Sequence, residues 1–436
     1  MITSPATPTR LVCVGDIQLG RRPSRIPADL SDWGIQPGDL TPAAAWRRVV
    51  EIAVERRVHA VLLAGDVVES DNQFFEAYGP LEAGVKRLVA AGITVIGVAG
   101  NHDVQVLPRL ADEVPGFVLL GRGGIWEQHI LNVAGAPAVR LVGWSFPEKI
   151  FRASPLDTIG TMPASSADLA TIGILHCDLD GRGSVYAPIS SAALAAAPGD
   201  AWLLGHIHTP TALPGPAPRG YLGNLSSLDP GETGARGAWL LEVFEPRNVS
   251  LSRLHISPLR WEHVEVDLTG VAEPEDLEGA IVRGLHALHE RVADSLGETR
   301  AVGCRVRLVG ASPKHRAIIA SLDQKDPRAL RVPFSNCVFF VESVADEARQ
   351  AIDLITVARG TDPPALLAQM LLDVETDSEA GRALVREAAV DLERTAGMSN
   401  FTNADPIADL PTIAKRELVR AGLAALEALL AQREPT

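Results

Sequence analysis

The chain has 436 residues, 46% of them hydrophobic, and carries 54 acidic against 40 basic side chains for a net charge of −14. That length predicts two to three domains of roughly 150 residues with sizeable cores, and the charge excludes a globally basic nucleic-acid binder while leaving room for a local basic groove. The four cysteines, Cys13, Cys177, Cys304 and Cys337, lack CxxC spacing, which excludes a zinc ribbon and a disulfide framework and fits a reducing, cytoplasmic setting.

The opening MITSPATPTR lacks the apolar stretch of a secretory signal, and no apolar run approaches the ~18–20 residues that span a membrane. In chain order, the short apolar runs are Leu11–Val14, Ala60–Ala64, Thr94–Ala99, Thr171–Leu175 and Ala201–Leu204. They are rich in Val, Ile and Leu and stop at Gly or a polar cluster, as buried strands do. Between the first two, Thr41 as N-cap and Pro42 at the first helical position predict a helix. Its apolar positions Trp46, Val49, Val50, Ala53 and Val54 fall on one face, against a sheet. The class is α/β.

The pattern shifts near Arg260-Trp261-Glu262. A strand at Val264–Leu268 leads to a helix from about Pro274 to Leu296, striped by Leu277, Ile281, Leu285 and Leu288. A strand (Cys304–Val309), a helix near Pro313–Leu322 and a strand (Cys337–Val341) complete a small α/β unit. Beyond about 350 the chain reads as charged helix, ending in Thr412–Gln432 with Leu418, Val419, Leu423, Leu426 and Leu430 on one side. The expected domains are 1–260, 261–345 and a helical 346–436. The last stripe is expected to pack on its own domain rather than on a partner.

All five apolar runs end in potential metal ligands: Asp16 and Gln18; Asp66; Asn101-His102-Asp103; His176; and His206 with His208. Singly these are weak signals. A strand-end Asp more often closes a turn, Gly-Asn-His-Asp can be an Asn-rich turn, and a lone His176 reads as a satisfied buried histidine. Gly205-His206-Ile207-His208 is harder to dismiss, because alternate residues of an extended segment point to opposite sides, so two ligands there imply a bend or two metals. Jointly, independent turns would not place these residue types in this order after successive strands. Carboxylate, imidazole and amide oxygen together suit Mn²⁺, Fe²⁺ or Zn²⁺.

This order, over roughly residues 10–245, resembles the calcineurin-like metallophosphoesterases, whose pattern is D-x-H, GD, GNH(D/E), H, GHxH. Within that family, LLGHIHTP with GYLGNLSSLDPGETGARGAWLLEV, ILHCDLDGRGSVYAPIS and PLRWEHVEVDLTG are similar to the SbcD- and YhaO-like DNA-repair exonucleases. The resemblance implies a β-sandwich in α/β/β/α layers with a small α/β capping domain and a helical tail. It implies two divalent cations, Mn²⁺ first, with Mg²⁺, Fe²⁺ or Zn²⁺ as alternatives. Asp66 would bridge them; Asp16, His208 and Gln18 would hold one, and Asn101, His176 and His206 the other. His102 would face the substrate as the catalytic group, with Asp103 orienting it. The resemblance also implies DNA as substrate and an SbcC-like coiled-coil ATPase as partner, with a homodimer as a further expectation.

Two positions depart from that pattern. Gln18 stands where the family has histidine, predicting a more weakly held first cation. Glu69 follows Gly65-Asp66-Val67-Val68, where these nucleases often read GDxFD, and is expected to be a loop carboxylate. Arg21, Arg22 and Arg25 follow the first motif and either steer a DNA backbone or form a solvated loop; Arg182 and Arg236 have the same two readings. The three functional expectations are thus a DNA nuclease, a metallophosphatase or phosphodiesterase acting on small substrates, and a non-catalytic scaffold that has lost one metal at Gln18.

Overall fold

The structure, a computed structural model, describes residues 8–69, 74–161, 169–244, 247–398 and 410–432. Its first part is a sandwich of two sheets. The strands in chain order are β1 (Thr9–Val14), β2 (Ala60–Ala64), β3 (Thr94–Val98), β4 (Phe117–Leu119), β5 (Glu127–Val133), β6 (Ala136–Trp144), β7 (Ala170–His176), β8 (Ala201–Gly205), β9 (Arg219–Tyr221), β10 (Ala238–Phe244) and β11 (Asn248–Leu254). The first sheet runs β11-β10-β1-β2-β3-β4 and the second β5-β6-β7-β8-β9. β1 to β4 are parallel, as are β6 to β9, while β10, β11 and β5 pair antiparallel at their edges.

Side chains alternate across a strand, and the alternation here assigns each residue to a layer. Leu11, Cys13, Leu62 and Ile96 face the second sheet and meet Leu141, Ile172, Ile174 and Leu203. Val12, Val14, Val61, Leu63 and Val95 face outward and are covered by α1 (Pro42–Glu55), α2 (Phe74–Ala90) and α3 (Val106–Glu113). The outer face of the second sheet carries Trp126, Trp144 and Trp202 under the short helix α4 (Ser191–Ala196). The layers are therefore α/β/β/α, as expected. α1 also starts as its sequence predicts: Thr41 accepts from the Ala44 N–H at 3.3 Å, with Pro42 next.

The five apolar runs all form strands, and parallel pairing brings the carboxyl ends of β1, β2 and β3, and of β7 and β8, to one edge of the sandwich. Ligands of parallel α/β sheets belong outside those ends.

By compactness the chain divides into one unit of residues 1–265, 281–307 and 327–345, and another of 266–280, 308–326 and 346–436. The division runs through the segment expected to form a separate 261–345 domain. Its elements are present: strands Leu259–Asp267, Ala301–Val309, Arg331–Pro333 and Val338–Asp346 form one sheet, with helix Asp276–Val292 between the first two. The reason for the division is burial. Leu259, Trp261, Ala301, Val338 and Phe340 pack on Leu30, Ile35 and Leu40 of the segment that follows the first motif. Ion pairs Arg25–Glu342 (3.0 Å) and Arg331–Asp29 (2.6 Å) reinforce that contact.

In the second unit, helices Pro363–Glu375 and Leu410–Ala431 bury Ala368, Leu371, Leu423 and Leu426 together with Leu354. The C-terminal stripe thus packs within its own unit. Among the described residues, no helix is long and apolar enough to cross a membrane.

One contact gives a test of the packing. The Trp46 indole N–H donates to the Pro80 carbonyl (3.0 Å), and a Cβ at Gly84 would lie 2.3 Å from that indole nitrogen. Helix propensity alone favours Gly84→Ala by about 1 kcal/mol, but overpacking costs about 1–3 kcal/mol. The substitution is expected to lower the melting temperature, and a rise would show that the α1–α2 contact yields.

Candidate metal centre

The turns after β1, β2 and β8 adopt backbone conformations that L-residues disfavour. Asp16 (φ 37°), Gln18 (φ 54°), Asp66 (φ 46°) and His206 (φ 104°) all lie at positive φ. Each costs on the order of 1–2 kcal/mol, and such strain collects at functional sites. Two glycines make the turns possible. A Cβ at Gly65 (φ 89°) would sit 2.5 Å from His176 Nδ1, and one at Gly100 would sit 2.1 Å from Asp66 Oδ1.

Asp16, Asp66 and His176 are 1%, 2% and 0% exposed, and each offers a donor atom within 4.8 Å of the other two. His176 Nδ1 meets the Ala64 carbonyl at 3.0 Å. A carbonyl only accepts, so Nδ1 carries a proton and Nε2 is the atom turned into the centre, with a lone pair to offer once the ring is neutral. That Nε2 lies 3.2 Å from Asn101 Oδ1 and 3.4 Å from Asp66 Oδ2. Lone pairs converging in a buried space repel unless a proton or a cation lies among them. The Asp16 carboxylate accepts the His206 N–H at 3.1 Å, while His206 Nδ1 is buried without a hydrogen-bond partner. Carboxylate and amide oxygens, an aimed imidazole and an orphaned imidazole nitrogen fit a divalent cation.

His208 and Gln18 flank this centre in a different state. His208 Nδ1 donates to Glu232 (2.5 Å), which leaves Nε2 as an acceptor, and Gln18 Nε2 lies 2.9 Å from it. Arg21 Nη1 donates to Gln18 Oε1 at 3.0 Å. Arginine has no acceptor, so this contact fixes which end of the amide is oxygen. Gln18 therefore reaches the centre through its nitrogen, and the oxygen expected to ligate is turned to Arg21. Glu69, expected to be a plain loop carboxylate, accepts from Arg21 Nη1 at 3.5 Å, and its backbone carbonyl meets His102 Nδ1 at 2.9 Å.

The expected partnership of Asp103 with His102 is not what forms. Asp103 is fully buried and its carboxylate accepts the N–H groups of Val67 (2.7 Å), Val68 (3.3 Å) and Gly100 (2.8 Å). Adjacent residues of a tight turn diverge, and this carboxylate points back into the turns that carry Asp66 and Asn101. His102 is oriented by the Glu69 carbonyl instead, and its own N–H donates to Asp66 (3.1 Å).

Of the candidate arginines, only Arg21 joins the centre. Arg22 and Arg182 are exposed, Arg25 pairs with Glu342, and Arg236 is buried beside Ala235. Glu232 is the functional residue the sequence reading missed. It fixes the His208 tautomer while its other oxygen accepts from Asn224 (3.0 Å) and the Leu228 N–H (2.6 Å). The Gly-Glu-Thr-Gly it sits in was the available signal.

Burial pushes the Asp16 carboxyl up to about 6 and, with the Asp66 charge beside it, Asp103 to about 7. Burial acts on Asp66 in the same sense, but His176 outweighs it and holds Asp66 below the usual carboxylate range. Burial works against a charged His176, yet Asp66 and Asp16 carry it up to about 9. For His206 burial prevails, bringing it down to about 4.

A family described as calcineurin-like phosphoesterase matches residues 9–210, and one described as metallophosphoesterase YhaO, middle domain, matches residues 261–337. The chain is 27% identical over 279 residues to the uncharacterized metallophosphoesterase YhaO of Bacillus subtilis (strain 168). That alignment covers 62% of this chain and 64% of the relative's length. Two solved structures are similar, each covering 57% of this chain and 99% of its own: a dimetal phosphatase from Danio rerio (12% identity, TM-score 0.32) and a protein of Thermus thermophilus (12%, TM-score 0.34).

The centre's chemistry has two measurable outcomes. A cation must displace the protons held by Asp16, raised to about 6, and His176, raised to about 9. Both are protonated at low pH, so cation affinity is expected to climb as pH rises from below about 6 to about 9, with proton release. Chelator-competition titrations at several pH values check this, and a flat profile would contradict it. Gln18→His replaces an amide engaged by Arg21 with an imidazole, and should tighten the weaker of the bound cations. Unchanged affinity would mean that residue 18 does not reach a cation.

Proposed function

The chain belongs to the calcineurin-like metallophosphoesterases, in their YhaO-like branch, and from that membership we propose that it is a metal-dependent DNA nuclease that hydrolyses phosphodiester bonds at this centre. The observation that carries the reading is the convergence of Asp16, Asp66, Asn101 and His176 on one buried space with His102 beside it. Asp16, Asp66, Asn101, His176 and His206 would hold cations, with His208 completing the set. The mixed oxygen and imidazole donors suit Mn²⁺, Fe²⁺ or Zn²⁺, and Mn²⁺ is the cation the nuclease reading favours. Divalent cations bound there supply charge stabilisation of the phosphate and a water acidic enough to lose a proton near neutral pH.

The chain's own residues do the rest. Asp103 clamps the two ligand turns through three backbone N–H groups, so the carboxylate and amide ligands hold their positions. His102, its Nδ1–H tied to the Glu69 carbonyl, keeps Nε2 for exchange with the substrate, where it can stabilise the phosphate or pass a proton to the leaving oxygen. His102, His206 and His208 are only half-buried, so the rim is open to a polymer. The similarity to SbcD-like nucleases, with Arg21 next to the ligands, supports DNA as that polymer.

His102→Ala is expected to lower hydrolysis by roughly 10²–10⁴-fold with cation content unchanged by native mass spectrometry. Full activity in that variant would overturn the role. Assayed against DNA ends, nucleotides and bis-p-nitrophenyl phosphate, the wild-type chain should cleave DNA. Hydrolysis of nucleotides with no cleavage of any DNA form would replace the nuclease reading by one of a small-substrate phosphoesterase.

A further inference from the structure

The end of the first sheet that bears Asp16 also bears an excess of positive charge at its β10–β11 edge. Register places it there. Trp239 of β10 lies opposite Cys13 of β1 on one side and Arg253 of β11 on the other. Strands are spaced by about 4.8 Å, so β11 runs about 10 Å from β1. Arg253 stacks its guanidinium over the Trp239 ring at 4.5 Å. Its Nη1 donates to the Ala235 carbonyl at 3.4 Å, and Arg236 Nη1 meets the same oxygen at 3.5 Å. Two guanidiniums thus share one neutral acceptor.

Arg236 is 5% exposed, and its Nε is buried without a hydrogen-bond partner. His255 follows β11, and its Nδ1 is likewise buried and unpartnered. Arg260 adds a third guanidinium whose charge is felt at Arg236, Arg253 and His255. The Glu232 and Glu262 charges favour Arg236, but both carboxylates hydrogen-bond to other groups. Glu262 Oε1 is held by Arg260 Nε and Nη2 at 2.7 and 2.6 Å, and both oxygens of Glu232 are occupied by His208, Asn224 and Leu228. Arg253 and His255 are half-exposed, so the cluster opens to solvent. Like charges, an orphaned guanidinium N–H and an unpartnered imidazole nitrogen in a partly buried space are costly unless a ligand answers them.

We propose that Arg236, Arg253 and His255 form a phosphate-binding subsite, separate from the metal centre and on the side of the first sheet where β11 lies two strands from β1. Planar guanidiniums with fixed N–H forks match a tetrahedral oxyanion. Its ligand is a phosphate: either one in the backbone of the polymer being cleaved, a use that rests on the nuclease reading, or free inorganic phosphate.

The test uses the full chain stripped of cations with chelator. At constant ionic strength, inorganic phosphate should raise the melting temperature of the wild type. Arg253 is half-exposed, so Arg253→Gln leaves the core intact, and it should weaken phosphate binding roughly tenfold or more. Asp66→Asn, in the metal centre, should keep the phosphate effect. No stabilisation by phosphate, stabilisation that survives Arg253→Gln, or loss of it in Asp66→Asn would each overturn the subsite. Binding of a single-stranded oligonucleotide then separates the two sources. If its salt dependence falls by about one unit of slope in Arg253→Gln, the backbone is the ligand. If the slope is unchanged while phosphate binding is lost, the subsite holds free phosphate. The phosphate measurement needs no cleavage, so it stands whether or not the chain cuts DNA.

Discussion

Two carboxylates buried side by side set the terms for everything around them. Asp16 and Asp66 are almost without solvent at the carboxyl ends of neighbouring parallel strands. Burying one charge costs several kcal/mol, and two of the same sign cost more. The surroundings answer them group by group. Backbone N–H groups of His206 and His102 point at their oxygens, and His176 stands between them and Asn101. Asp103 adds a third acid a few ångströms behind, tolerated because its oxygens accept three N–H groups. A divalent cation completes an arrangement that the protein alone leaves short of positive charge.

Much of this was legible in the sequence, because the strands that carry the ligands are buried on both faces and so read as continuous apolar runs. The strands that went unread are of another kind. β5 and β11 sit at sheet edges with exposed residues along them, and β4 and β9 are only three residues long. β6 and β10 are the exceptions, being largely buried; β6 begins with the exposed Ala136-Pro137, and β10 carries Trp239 and Glu242 among its apolar residues. At the centre, residue types and order were enough to find the ligands. They were not enough to orient them. The amide of Gln18 is turned by Arg21, three residues on, and by His208, 190 residues away. Asp103 adjoins His102 in sequence but serves a different turn, and Glu232 acts across 24 residues on His208.

The net charge of −14 and the basic clusters describe the molecule at different scales. Arg21 stands beside the ligands, and Arg236 and Arg253 meet at the β10–β11 edge of the first sheet, within reach of the Arg260 charge. An acidic total disfavours indiscriminate binding to polyanions. A local positive field at the reaction edge still favours an approaching phosphate, and the two together make for selective rather than adhesive contact.

The centre draws Asp16, Asp66 and Asn101 from one sheet, and His176, His206 and His208 from the other. Asp16 and His206 are 190 residues apart in the chain. Neither sheet alone holds a usable donor set, and contacts of such long range form late in folding. The full donor set therefore exists only in the closed sandwich, and tight cation binding reports on the joining of two sheets rather than on either alone.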